Sequence, residues 1–535
     1  MYAGGFGAEF SGATSAVIDV SLRPGNMREF RSSAAASPYL FSLHAEGPFE
    51  TDRHSFMLMG RKSTIEQFGP VITGDDIPLN FSDLMARYSI LGDNISCNIT
   101  AMRTFDQGEI VPYRSILHTW TNTVIGGRCL GFDERFNYPI EVTAGFTRYR
   151  NSEGSISTNE RLSILSQIYF KVALRYELFK QPINFGFGTN FRTFNTELEE
   201  QFMELESFSR VIPIAHFYTS TEFELGSRLT IQPGIASQLT LDTPFTFEPR
   251  FRASYQPDGT DRQQLSLAAG RYVQLLAGIN DERDIGTVFT VLQPIQSGDP
   301  LPSALHGILA YQQRIGNRFT ANVEGFVKQH RNIPVSKWTP EARLEIETAK
   351  ADGFTHGFDV RLQYNHSRWF TSIGYGYSKV EYEAVTGDLG AWIEEPVFEY
   401  NPAHDQRHKL NTILSYSFAG FTTNARWEFG TGMPYTRIFG FDMSVRIPDE
   451  EPQTDPGTAR ILFTRPYGER LPTYHRLDVS IERTFQLAQR QSIEAEIGVI
   501  NSYNRNNIFS FDFRSLQRID QAPIFPYLSV KFNLM

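Results

Sequence analysis

The eleven residues "IYFKVALRYEL" (168–178) put Ile168, Phe170, Val172, Leu174, Tyr176 and Leu178 on one side of an extended chain and Tyr169, Lys171, Arg175 and Glu177 on the other. Side chains alternate across a strand, so the stretch reads as a β-strand with one apolar and one charged face. The same period of two recurs in "KLNTILSYSF" (409–418), where Leu410, Thr412, Leu414, Tyr416 and Phe418 oppose Lys409, Asn411, Ser415 and Ser417. In "TTNARWEF" (422–429), Thr423, Ala425, Trp427 and Phe429 oppose Asn424, Arg426 and Glu428. "RLDVSIERTF" (476–485) and "SIEAEIGVIN" (492–501) repeat it. An apolar face of this kind meets either the core of a sandwich or lipid.

Composition agrees with strands throughout. The 535 residues include 44 Phe, 23 Tyr and 41 Gly, a load that favours β-structure over helix. Sixty acidic residues against fifty basic ones give a net charge of −10, which argues against a nucleic-acid partner held on a broad basic surface. Cys97 and Cys129 are the only cysteines, too few for a thiolate metal cluster or a disulfide scaffold. There is no basic start followed by an apolar stretch, and no run of 18 apolar residues. Neither observation speaks against a barrel, whose strands need only about 9–11 residues with every second one apolar.

The connections choose lipid. Tight turns are expected at "FKQPI" (179–183), "LGSRL" (225–229), "RIGNRF" (314–319) and "SFAGF" (417–421). Long loops are expected at 275–302, 331–352, 382–404, 437–473 and 504–525. Short turns at one end strictly alternating with long loops at the other describe a transmembrane barrel and not a sandwich or a propeller. From "REFRSSAAAS" (28–37) to "YLSVKFNLM" (527–535) the pattern gives about 22 strands, with both chain ends on the short-turn side. The expected fold is therefore all-β, one large antiparallel transmembrane β-barrel with short periplasmic turns and long extracellular loops. Leu414, Tyr416, Ala425, Trp427, Val479 and Ile481 are assigned to the bilayer side. Lys171, Arg175, Glu177, Arg426, Glu428, Asp478 and Glu482 are assigned to a wetted interior, because charges without partners are stable only in water. Side chains cannot fill the lumen of so wide a barrel, and a plug is expected.

"GGFGAEFSGATSAVIDVSLRPGN" (4–26) carries a Gly-rich turn and one β pattern, Val17–Leu22, and resembles the last segment of the plug domain of TonB-dependent outer-membrane receptors. "FEPRFRASYQPDG" (247–259), "DGFTHGFDVRLQY" (352–364), "NPAHDQRHKLNTILSY" (401–416), "GTGMPYT" (430–436), "YHRLDVSIERTF" (474–485) and "VINSYNRNNIF" (499–509) are similar, in the same order, to recurring phrases of that family's barrel. The resemblance implies a remnant of the plug over residues 1–26 and a transmembrane barrel over 27–535. It also implies uptake of a bulky nutrient (a siderophore, glycan, peptide or similar) across the outer membrane of a Gram-negative bacterium. Outer-membrane lipid and an extracellular small-molecule or oligomeric substrate are the implied partners. A TonB complex would pull on a contact segment that this stretch of chain lacks. A passive wide channel is the alternative. With so little plug, the first residues are expected to lie loosely against the inner wall of a water-filled lumen.

Candidate binding residues sit in the long loops. "GAWIEEPVFEYNPAHD" (390–405) offers Trp392, Phe398 and Tyr400 among Glu394, Glu395 and Glu399, and the loop before it offers Trp338. Aromatic faces beside carboxylates suit sugars, peptides or cationic complexes, and equally serve to pack loops over one another. His404 and His408 could ligate a metal with Asp405 or could tie loop backbone to the rim of the barrel; the second reading is favoured. Gly186 and Gly188 form G-x-G without a following helix, so no phosphate cradle is expected. No nucleophile elbow, P-loop, paired-His zinc helix or C-x-x-C is present, and neither a catalytic role nor a cofactor is expected. Cys97 and Cys129 fall near the short-turn rim on neighbouring strands, where a disulfide and two unbonded small residues facing lipid are both open.

Overall fold

The computed structural model describes residues 2–534 other than 75–78, 110–115, 134–137, 156–157, 179–180, 199–205, 244, 281–287, 339–343, 345, 391, 445–457 and 513–516. Twenty-four of its strands join into one closed sheet, and four two-stranded sheets stand apart from it in the long loops. Phe223–Leu225 continues Glu206–Thr221 along the same neighbour, and Val397–Tyr400 shares the edge of Trp369–Val385 with His408–Phe418, which leaves 22 staves. Each stave is antiparallel to the next in sequence. The circle closes where Arg31–Ala36 pairs with Phe525–Leu534, with Ala34 opposite Phe532. Closure pairs every stave of the barrel on both sides among the described residues, as a β-structure in hydrocarbon requires. No helix among the described residues is long and apolar enough to cross a membrane.

Short connections close one end, from the single Glu50 between Phe49 and Thr51 to the longer link between Tyr255 and Gln263. Ala419 and Gly420 adopt positive φ (47° and 83°) between the paired Phe418 and Phe421, the twist that a two-residue hairpin turn needs. Within the turn expected at 179–183, residues 179–180 lie outside the described residues. The long connections emerge at the opposite end, but the alternation of lengths is not strict. Ser37–Tyr39 joins two staves at the long-loop end, held by the Ser37 hydroxyl, which accepts the Leu40 N–H at 3.1 Å. Ser155 pairs with Thr158 at the same end.

The alternation read from the sequence sorts the two faces. Ile168 is 59% exposed on the outer face, while Lys171 lies inside over the Tyr218 ring at 5.2 Å and Arg175 lines an interior cavity. Leu414, Ala425 and Val479 stand in one cross-strand row, and Tyr416, Thr423 and Ile481 in the next. On the inner face Arg426 is opposite Asp478 and Glu428 opposite Arg476. Arg426 also pairs with Glu428, and Arg476 with Asp478 at 2.8 Å. These interior charges, expected to stand unpartnered in water, form a checkerboard instead, because positions two apart share a face. Ile413 departs from the simple pattern and lines the interior beside Lys409 and Asn411.

Cys97 is directly opposite Cys129, with Cα atoms 4.1 Å apart, and the two are bonded. They share their face with Ile99 and Val142, which are 58% and 36% exposed, so the disulfide lies on the outer wall.

Candidate ligand-facing loops and the occupied lumen

At the rim, "NPAHDQRHK" (401–409) is a hydrogen-bonded knot. Asp405 is fully buried and its carboxylate accepts from Val380 N–H at 2.9 Å, from Arg407 Nε at 2.9 Å and from Arg470. Arg470 also donates to the carbonyls of Asp405 and Gly432, and Asn401 donates to the Val380 carbonyl at 2.7 Å. Burial alone would raise the Asp405 pKa, but the Arg470, Val380 and Arg407 donors outweigh it and hold the carboxyl below its ordinary value. His408 Nδ1 meets the Tyr375 hydroxyl at 2.8 Å, and the exposed His404 ring packs edge-on to Tyr382. Among the described residues no three His, Cys, Asp or Glu side chains gather at metal-binding spacing. A second knot closes "VINSYNRNNIF": Asn501, at φ 54°, donates to the Arg505 and Ala522 carbonyls and accepts from Arg505 N–H.

Above the rim three long loops meet in an aromatic cluster. Trp338, Phe398 and Tyr400 are buried with Val335, Leu389 and Tyr467. Trp338 meets Trp392 and Tyr467 edge-on at 5.8 Å and 5.1 Å, and Tyr400 stacks between Phe398 and Tyr467 at 5.0 Å from each. Trp392 stacks on Phe463 at 5.6 Å and donates its indole N–H to the Phe463 carbonyl at 3.1 Å, yet keeps 39% of its surface exposed. Glu394 and Glu395 are exposed beside it. Arg465 lies over the Phe398 ring at 5.1 Å and pairs with Glu395 at 3.0 Å. The six residues named from the sequence thus belong to one assembly but divide into three that brace the loops and three that face outward. Phe463, Arg465 and Tyr467 were missed. Their signal was "FTRPYG" (463–468), an aromatic and basic stretch inside the longest loop.

Inside the barrel, residues 2–17 close on themselves: Tyr2 N–H donates to Val17 C=O at 2.8 Å and Val17 N–H to Tyr2 C=O at 2.9 Å. The wall grips this loop by its carbonyls. Arg250 Nη1 donates to Gly7 and Phe10 at 2.8 Å each, His306 Nε2–H to Thr14 at 3.0 Å and Lys328 to Ala3. The Arg250 guanidinium sits 5.0 Å from the Phe6 ring and 4.1 Å from the Tyr272 ring, and its Nη2 pairs with Glu248 at 2.8 Å. Phe6, Tyr272 and Glu248 are completely buried. Gly234, Arg250, Gly270, His306 and Lys328 stand in one row across five staves. A Cβ on Gly234 would lie 3.0 Å from that of Ala8, and one on Gly270 would lie 2.8 Å from the Tyr272 hydroxyl, so two bare positions in the row make room for the loop and for the ring that holds it.

Two expectations are corrected here. The first residues are locked to the wall rather than loosely held, since cationic donors satisfy carbonyls that would otherwise be buried unpaired. Val17–Leu22 is not a strand, because beyond the Val17 rung no described residue pairs with it. Cavities flank the loop, one of about 1430 Å³ bounded by Tyr2, Glu324, Arg361 and Asn411, the other of about 390 Å³ bounded by Glu9, Arg175, Tyr218 and Glu222.

Solved structures share this architecture. The chain is similar to the ferric enterobactin receptor PfeA of Pseudomonas aeruginosa, with 12% identity over 98% of this chain and 83% of that one, at a TM-score of 0.67. It is similar to the outer-membrane transporter YddB of Escherichia coli, with 9% identity over 100% and 84%, at 0.67. The ferric-catecholate import receptor Fiu of E. coli matches at 10% identity over 96% and 82%, at 0.65. The chain has the fold of these outer-membrane receptors. No family model matches the sequence, and no curated protein aligns with it significantly.

Proposed function

We propose that this chain is the barrel, with the end of the plug over residues 1–26, of a TonB-dependent outer-membrane receptor that imports a bulky nutrient. The observation that carries the reading is the combination of a closed 22-stave barrel of the siderophore-receptor fold with a loop bound inside its lumen. Such a barrel sits in the outer membrane of a Gram-negative cell with its turns in the periplasm and its long loops outside. Transport, not catalysis, is the activity that the fold supports. Trp392, Glu394 and Glu395 form the outward surface that meets the ligand, and Trp338, Phe398 and Tyr400 hold that surface in place from below. A ferric siderophore is the first solute to test, because the structural neighbours include siderophore receptors; glycans and peptides follow.

The test is uptake of radiolabelled iron from a panel of ferric siderophores, and of labelled oligosaccharides and peptides, by cells expressing the full-length protein with and without TonB. The reading expects TonB-dependent uptake of one class, and Trp392→Ala is expected to weaken it about tenfold, the loss of one aromatic contact worth roughly 1–1.5 kcal/mol. Uptake that is indifferent to TonB and scales with solute size identifies a passive channel instead.

A further inference from the structure

We infer that the outer wall of the barrel carries a docking surface for a phosphorylated glycolipid of the external leaflet, built on Arg103 and Arg148 and flanked by Lys62 and Arg150. The inference rests on the reading that the barrel spans an outer membrane with its long loops outside, and it assigns a lipid to one sector of the wall.

Alternation puts these cations on the lipid side. Arg103, on the stave Ile95–Glu109, is directly opposite Leu84, which is 63% exposed. Arg148, on Tyr138–Ser155, lies two residues from Phe146, whose partner is the outward Ile168. Both arginines are opposite Thr123 of the stave between them, so their Cα atoms stand about 10 Å apart, two strand spacings. Lys62 and Arg150 share the next row toward the long loops. Depth follows from the same alternation. Below Arg103 the outward positions are Ile95, Cys97, Ile99 and Ala101, and an equal apolar ladder, Ile140 to Phe146, underlies Arg148. Each ladder with its arginine runs nine residues, 95–103 and 140–148, and a strand crosses hydrocarbon in about 9–11. The two guanidinium groups therefore stand at the long-loop edge of the apolar belt, where a long side chain lifts its charge out of the hydrocarbon.

The protein offers these charges no partner. Arg103, Arg148 and Lys62 are neither hydrogen-bonded nor ion-paired to any described residue. The row of the two arginines and the row on either side of it hold no Asp or Glu across the eight staves from Thr51–Ser63 to Glu206–Thr221. Elsewhere on the wall, outward cations are paired, Arg331 with Asp352 and Lys379 with Glu381. The unpaired cluster therefore draws its counter-charge from the membrane. A guanidinium fork matches the oxygens of a phosphate, and the ladder beneath it packs against acyl chains. The external leaflet of a Gram-negative outer membrane is built of phosphorylated glycolipid, which presents both on one molecule.

The test is native mass spectrometry of the folded chain in detergent micelles, titrated with bisphosphorylated lipid A and with the same lipid stripped of its phosphates. Tight binding of the first is expected, with the second about tenfold weaker. Arg103→Gln combined with Arg148→Gln is expected to weaken the phosphorylated lipid about tenfold. Arg103→Lys combined with Arg148→Lys keeps the charges and is expected to stay within about threefold of the parent, which separates a lost contact from a misfolded barrel. Arg331→Gln, at a paired position, is expected to change nothing. Equal binding of the two lipids, equal binding of phosphatidylglycerol, or a Gln variant that binds as the parent does would overturn the proposal. So would dimers of the parent that the Gln variant dissociates, which would make this face a contact between copies. The measurement needs neither TonB nor a transported solute. Lipid binding without TonB-dependent uptake removes the receptor reading alone, and uptake without a preference for the phosphorylated lipid removes this proposal alone.

Discussion

Asp405 shows what a single buried charge does at the rim. With no exposure of its own it holds Arg407 and Arg470, whose side chains remain 29% and 36% exposed, and through them ties three segments of loop to the barrel. Asp405→Ala is expected to cost about 2–3 kcal/mol, below the full effect of breaking a wholly buried pair because both arginines stay partly in water. Its depressed pKa fixes the sign of the pH dependence. The contribution is complete above the ordinary aspartate value of about 3.9 and is lost as pH falls through the lower folded value. Limited proteolysis of the long loops should therefore accelerate in the parent as pH falls below about 4. The variant should be cleaved fast throughout, and an acid step of the same size in the variant would refute the assignment.

At the scale of strands, the outer and inner faces obey different rules. Leu414 stands in a row with Ala425 and Val479 on the outer face, and its neighbour Ser415 faces inward. Leu414→Lys is expected to destabilise the barrel in phospholipid vesicles by about 2 kcal/mol, with Ser415→Lys within roughly 0.5 kcal/mol of the parent. Urea unfolding from the bilayer measures both, and equal effects would show that the faces are wrongly assigned. The inner face solves a different problem. Arg426 with Glu428, Arg476 with Asp478, and Glu248 with Arg250 are all spaced two residues apart. That spacing is readable in the sequence once the strands are known, and it marks where the lumen neutralises itself without a ligand. The direct opposition of Cys97 and Cys129 was not readable, because one residue of slip would send the two side chains to opposite faces.

For the whole molecule the decisive feature is the loop fixed inside the barrel. Phe6 is completely buried between Arg250, Tyr272 and His306. Phe6→Ala is expected to remove about 3 kcal/mol of that hold, to free residues 2–17 from the wall and to merge the flanking cavities. Single-channel conductance of the purified chain in planar bilayers should rise in the variant. Unchanged conductance would mean that the loop does not obstruct the lumen.

The sequence by itself determined the barrel, its number of staves, the residues that face lipid and the end at which long loops emerge. Each of these depends on relations between residues a few positions apart: the period of two, turn residues at fixed offsets, and charges at i and i+2. The rim knot was legible only in part: the sequence placed polar groups around Asp405 at the rim, but Arg470 reaches Asp405 across 65 positions. Only the tertiary structure decided which loop aromatics are buried and which face outward, because Trp338, Tyr400 and Tyr467 acquire their burial from one another across three loops. It alone revealed the grip on the first residues, where Arg250 reaches Phe10 across 240 positions and Lys328 reaches Ala3 across 325. No local pattern encodes a contact of that span; closing the sheet into a barrel brings those staves around the chain's beginning, and burial then requires every carbonyl there to find a donor.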